Sequence, residues 1–166
     1  MKPFYRFLLC VLCALLPCTF AGCGRQDVLS YQKKEIFVSG TFAYGGMTLS
    51  GSATISSPQD GKRQISITLR EPDSLAGVTV ESDGTVCRMK YRELTKEFPD
   101  GLTAMRQFAR LFSIPNALYE KDGGVYRFRD GETVWELTLR DGMPQSIRMT
   151  EGGGAAALTV EEFRIS

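Results

Sequence analysis

Apolar and polar residues alternate along most of the chain after residue 35. Ile36, Val38, Phe42 and Tyr44 fall on one face of an extended run, with Gly40 between them. Met47, Leu49, Ala53 and Ile55 share a face in the next run, after a Gly45-Gly46 turn. Ile65, Ile67 and Leu69 follow, then Val78 and Val80, then Cys87, Met89 and Tyr91. Beyond a break come Tyr126 and Phe128, then Trp135, Leu137 and Leu139, then Ile147 and Met149, and last Leu158 to Ile165. A period of two predicts strands with one apolar face. In the last run the phase slips between Val160 and Phe163, which predicts a bulge. Asp-Gly occurs at 60, 83, 100, 122, 130 and 141, mostly between these runs. It favours tight hairpins, because Gly takes φ > 0 without strain. Gly152-Gly153-Gly154 and the three alanines after it predict a flexible loop before the final strand.

One segment follows another period. Leu102, Met105, Phe108, Ala109 and Phe112 recur at helical spacing. They predict a helix of about 12 residues, with Asp100 as its N-cap and Pro115 barring its continuation. The predicted fold is mainly β (α+β). It is an antiparallel incomplete β-barrel of about nine strands, with one central helix covering the concave apolar face. A single helix fills only part of such a half-barrel. The remainder is either an apolar groove, suited to an acyl chain or an apolar partner segment, or a core filled by its own side chains.

The first 23 residues differ from all of this. Lys2 and Arg6 precede an apolar run from Phe7 to Pro17, and small residues lead to Cys23. That order reads as a secretory signal peptide. A membrane-spanning helix needs about 20 apolar residues, more than this run holds, and Pro17 lies inside it. Ala21-Gly22-Cys23 resembles the lipobox of bacterial lipoproteins, where cleavage precedes the cysteine and lipid is attached to its thiol. Phe20 stands where the lipobox usually carries Leu, so a plain secretory signal is the other reading. The expected organisation is a signal over residues 1–22, a lipidated tether over 23–34 and one domain over 35–166. The protein is then a monomer held by lipid at a cell membrane, on its extracytoplasmic side.

Composition narrows the chemistry. With Lys2 and Arg6 set aside, 18 of the 20 basic residues remain against 19 acidic ones, interspersed along the chain. No basic patch points to nucleic acid. Beyond Cys23 the only cysteine is Cys87, alternating with Met89 and Tyr91, and it reads as a small buried hydrophobe. The chain has no histidine, which removes Ser-His-Asp and Cys-His catalysis and His-ligated metals. No acidic, lysine, tyrosine or serine side chains stand in a recognisable catalytic spacing. No catalytic residue, metal site or cofactor is therefore assigned. The expected activity is binding of lipid or acyl chains against Phe42, Tyr44, Ile65, Ile67, Leu69, Met105, Phe108, Phe112 and Trp135. The competing reading is a cell-envelope interaction module with a filled core.

The order of elements adds a family. Gly40-Thr41-Phe42-Ala43-Tyr44 opens the first long strand, and the third ends Thr68-Leu69-Arg70. Glu71-Pro72-Asp73-Ser74-Leu75-Ala76-Gly77 follows, then a strand to Glu81, Asp83-Gly84, and later the helix. This order resembles the bacterial lipoprotein-carrier superfamily, the LolA/LolB-like proteins. The resemblance covers most of the mature chain, by pattern more than by identity. It implies an incomplete β-barrel with an apolar cavity lidded by helices, and binding of lipoprotein acyl chains or other lipids. It also places Leu75 where the membrane-anchored carrier has a protruding leucine. Here Pro72-Asp73-Ser74 intervenes, and Leu75 either contacts a membrane or packs under its own loop.

Overall fold

A computed structural model describes residues 28–59, 62–99, 101–116 and 119–166. The signal segment, Cys23, Asp60 and Asp100 lie outside the described residues. Eleven strands form one antiparallel sheet: β1 (Ile36–Tyr44), β2 (Met47–Ile55), β3 (Ile65–Glu71), β4 (Thr79–Ser82), β5 (Cys87–Tyr91), β6 (Leu94–Phe98), β7 (Tyr119–Asp122), β8 (Val125–Asp130), β9 (Thr133–Arg140), β10 (Met143–Glu151) and β11 (Gly154–Ile165). Their order is β6-β5-β4-β3-β2-β1-β11-β10-β9-β8-β7. The first strand thus pairs with the last, while β6 and β7 remain as open edges. The incomplete barrel is as expected. The strand number is not: β6 and β7 are additions to the nine that alternation marks.

The helix α1 (Thr103–Leu111) links those two edges. It is nine residues long, shorter than expected, and its N-cap position is Leu102 rather than Asp100. Gly101 at φ 70 redirects the chain, and Leu102 is still extended, so helical geometry begins only at Thr103. Met105, Phe108 and Leu111 are buried, and the arginines Arg106 and Arg110 lie off that face.

Tight turns close the hairpins. Gly45-Gly46, Asp141-Gly142 and Gly152-Gly153 all have φ > 0 at both positions, which matches the twist of the flanking strands. The expected flexible loop at Gly152–Gly154 is therefore a two-residue turn, and Gly154 already opens β11. The three alanines behind it are strand residues, with Ala156 buried against the core.

The sheet carries a crease. Gly40 of β1 pairs with Gly51 of β2. On the outer side of each glycine the neighbouring strand holds one extra residue: Glu161 in β11 beside Gly40, and Arg70 in β3 beside Gly51. The slip expected between Val160 and Phe163 is this first bulge. A Cβ at Gly40 would run into the Thr159 carbonyl oxygen, and one at Gly51 into that of Thr68. Only glycine permits such approach. The two bulged residues meet each other across the glycine pair, where Arg70 Nη2 donates to Glu161 Oε2 at 2.7 Å. Bulges bend and twist a sheet locally, so two in register across adjacent strands curl it along this line.

The core reaches further back in the chain than residue 35. Val28, Leu29 and Tyr31 are buried in it, around a single 3-10 turn (Ser30–Lys33). Tyr31 packs edge-on against Phe163, with ring centroids 5.5 Å apart. The second half of the expected tether thus packs with the domain. Cys87 is 2% exposed, in keeping with its reading as a buried hydrophobe.

Candidate functional site

Two halves of the concave face meet α1 differently. The helix packs mainly on β1, β10 and β11. Phe108 sits edge-on to Phe42 at 5.5 Å, and Phe112 lies 5.4 Å from Phe108. The C-terminal carbonyls of a helix need partners outside it. Trp135 Nε1 donates to one of them, the Arg110 oxygen, at 3.1 Å. The Arg110 guanidinium grips both oxygens of Glu151 at 2.5 and 2.7 Å. Thr133 Oγ1 donates to the same carboxylate at 2.8 Å. These two partners pull the Glu151 carboxyl from 4.5 down to about 2.

On the other half, over β2–β5, lies an apolar cavity of about 180 Å3. Leu49, Ala53, Ile67 and Val80 form its floor, and Leu102, Met105 and Phe108 face them from α1. Among the described residues, Ser52 is the one lining residue with a polar side chain, and no charged side chain lines the cavity. Met47 borders the cavity and is 50% exposed, so the cavity opens there. Leu75, in the 3-10 turn Asp73–Leu75, borders the same end. The start of β2 and the end of β3 are brought together there by antiparallel pairing.

Of the residues expected in the cavity, Phe42, Ile67, Leu69, Met105 and Phe108 line it. Tyr44 does not; it stacks on Phe42 at 6.5 Å. Ile65 and Phe112 face a second pocket, at the Lys62–Ile65 side of the helix. Trp135 is 5% exposed in the filled half, its indole committed to Arg110. Leu75 is partly buried and packed against the core rather than projecting from its loop. Leu49, Val80 and Met89 belong to the lining and stood in the alternating runs, but alternation alone does not separate them from filled core.

No described residue of this lining ionises, so the site offers burial and shape rather than acid–base chemistry. Among the described residues no cluster of His, Cys, Asp or Glu could hold a metal ion, and no helix is long and apolar enough to cross a membrane.

No protein-family model and no curated protein matches the sequence. Solved structures do match in fold. An uncharacterised conserved protein from Thermus thermophilus superposes with a TM-score of 0.50 at 13% identity, over 85% of this chain and 86% of that one. A proposed outer membrane lipoprotein-sorting domain from Vibrio parahaemolyticus gives 0.47 at 10% identity, over 85% and 90%. A LolA superfamily protein from Nitrosomonas europaea gives 0.43 at 9% identity, over 85% and 93%. At these identities the likeness is one of fold.

Proposed function

We propose that this is a lipid-handling protein of the cell envelope, whose open half-barrel takes a hydrocarbon chain between β2–β5 and α1. The observation that carries this reading is the cavity without a charged side chain, open beside Met47. Each 100 Å2 of tail surface buried there contributes about 2.5 kcal/mol before ordering costs. The cavity's volume of about 180 Å3 is below the ~300–1,000 Å3 usual for ligand pockets. It fits one segment of a tail. A longer chain needs α1 to lift from the β2–β5 side, while its Trp135 and Glu151 contacts hold the other side. The order of elements along the sequence, which resembles that of LolA/LolB-like proteins, supports the same reading.

In this reading residues 1–22 are a signal, lipid on Cys23 anchors a monomer at the extracytoplasmic face, and Leu75 and Met47 meet the incoming chain or the membrane. Native mass spectrometry after mild extraction is the test, with uptake of a fluorescent fatty acid alongside. The wild-type chain is expected to carry lipid and take up the probe. Ile67→Trp, which fills the cavity from a partly buried position, is expected to reduce uptake at least tenfold. A chain that carries no lipid, takes up no probe and crosslinks to one dominant protein in cells would instead be an interaction module.

A further inference from the structure

The second pocket, of about 630 Å3, lies between α1, the N-terminal turn, the Lys62–Arg63 segment and the β4–β5 loop. Five basic side chains line it: Lys33, Lys62, Arg63, Arg106 and Arg110. No Asp or Glu is among the described residues on its walls. Arg110 is matched by Glu151 from outside the pocket. The nearest polar contact of Arg106 is an uncharged one, Nη2 to Thr103 Oγ1 at 3.3 Å. Charges interspersed along the sequence are thus sorted by the fold into one basic concavity.

Two buried donors stand beside it. Among the described residues, Arg63 Nη1 and Gln32 Nε2 make no hydrogen bond of good geometry. A third group beside them, the Tyr31 hydroxyl, makes no hydrogen bond of good geometry either. Gln32 and Arg63 stand close enough to favour its ionised form, but burial outweighs them and pushes the phenol up. Buried donors are nearly always paired in folded proteins, because an unpaired one forfeits its hydration without return. Among the described residues the pocket walls hold donors and positive charge and no carboxylate, a lining that suits an anion with several oxygens. Guanidinium groups match phosphoryl oxygens in a two-pronged geometry, and lysines add point charge.

We propose that this pocket binds a phosphoryl group. Apolar walls at Leu29, Ile65, Met105 and Phe112 favour a phosphate carried on an apolar body. Met105 also lines the hydrocarbon cavity, so a tail in one pocket and a phosphate in the other would share a wall. The phosphoryl site does not depend on the hydrocarbon reading, since its evidence is charge and buried donors.

The test is calorimetric titration of the full chain in a maltoside detergent with three probes: inorganic phosphate, phosphatidic acid and the uncharged diacylglycerol with the same tails. Phosphatidic acid is expected to bind at least tenfold more tightly than diacylglycerol. The charge reversal Lys62→Glu with Arg106→Glu, both at exposed positions, is expected to erase that preference without moving the melting temperature. Arg63→Gln should weaken it too. Inorganic phosphate binding that the reversal abolishes, without a phosphatidic acid preference, would support a soluble phosphorylated ligand. If neither phosphate nor phosphatidic acid is preferred, or the reversed variant binds both as the wild type does, the proposal fails. Loss of diacylglycerol uptake alone would remove the hydrocarbon reading and leave this one standing.

Discussion

The concave face is filled over β8–β11 and hollow over β2–β5. Both sides carry apolar residues at alternate positions. On the β8–β11 side these are large: Phe128, Trp135, Leu137, Ile147 and Met149, all at 5% exposure or less. They reach α1 and its neighbours and close the space. On the β2–β4 side the inward positions include Ala53, Val78 and Val80, whose side chains are short, and Gly51, which has none. The anchors of α1 lie on the filled side as well, in the Trp135 hydrogen bond and the Arg110–Glu151 pair. Alternation decides which face a residue joins; side-chain volume decides whether that face becomes core or container.

Four substitutions would break or sharpen this contrast. The largest expected loss is from Phe128→Ala, about 3–5 kcal/mol in denaturant unfolding, because a well-packed region leaves a cavity when truncated. Ile67→Ala, which enlarges a space that already exists, should cost about 1 kcal/mol. Equal losses at the two positions would mean that the halves are packed alike. Next comes Gly40→Ala, expected to cost about 1–3 kcal/mol as the Thr159 strand is forced away. It should also lower probe uptake by flattening the hollow half, and unchanged uptake would separate the crease from the cavity. The smallest effect concerns Glu151. Its carboxyl falls from 4.5 to about 2 on folding, so its contribution is complete above pH 4.5 and is lost as pH drops toward 2. Glu151→Gln should therefore show a shallower loss of melting temperature between pH 5 and pH 2 than the wild type. Parallel acid profiles would show that the pair does not secure the helix.

Nine strands could be read from alternation and the helix from helical spacing, because each must bury one side. The two that could not, β6 and β7, are the sheet's edges. Leu94-Thr95-Lys96-Glu97-Phe98 is exposed until its last residue, and Glu120, Lys121 and Asp122 are exposed throughout. An edge strand needs no second apolar neighbour, and charge along it discourages pairing with other chains. Sequence pattern put Phe42, Ile67, Leu69, Met105 and Phe108 on the face that holds the cavity. It also put Trp135 there, since nothing in a run of alternating residues tells that an indole will be spent on a helix carbonyl. The basic pocket left no local trace at all. Lys33, Lys62, Arg63, Arg106 and Arg110 come from separate stretches of chain and converge only after folding.

The glycine pair at 40 and 51 has a wider meaning. Two absent side chains let the Thr159 and Thr68 carbonyls of β11 and β3 approach closely, and the bulges beside them bend the sheet across its strands. Both glycines also line the hollow, so the same two positions bend the sheet and widen the space beneath the helix.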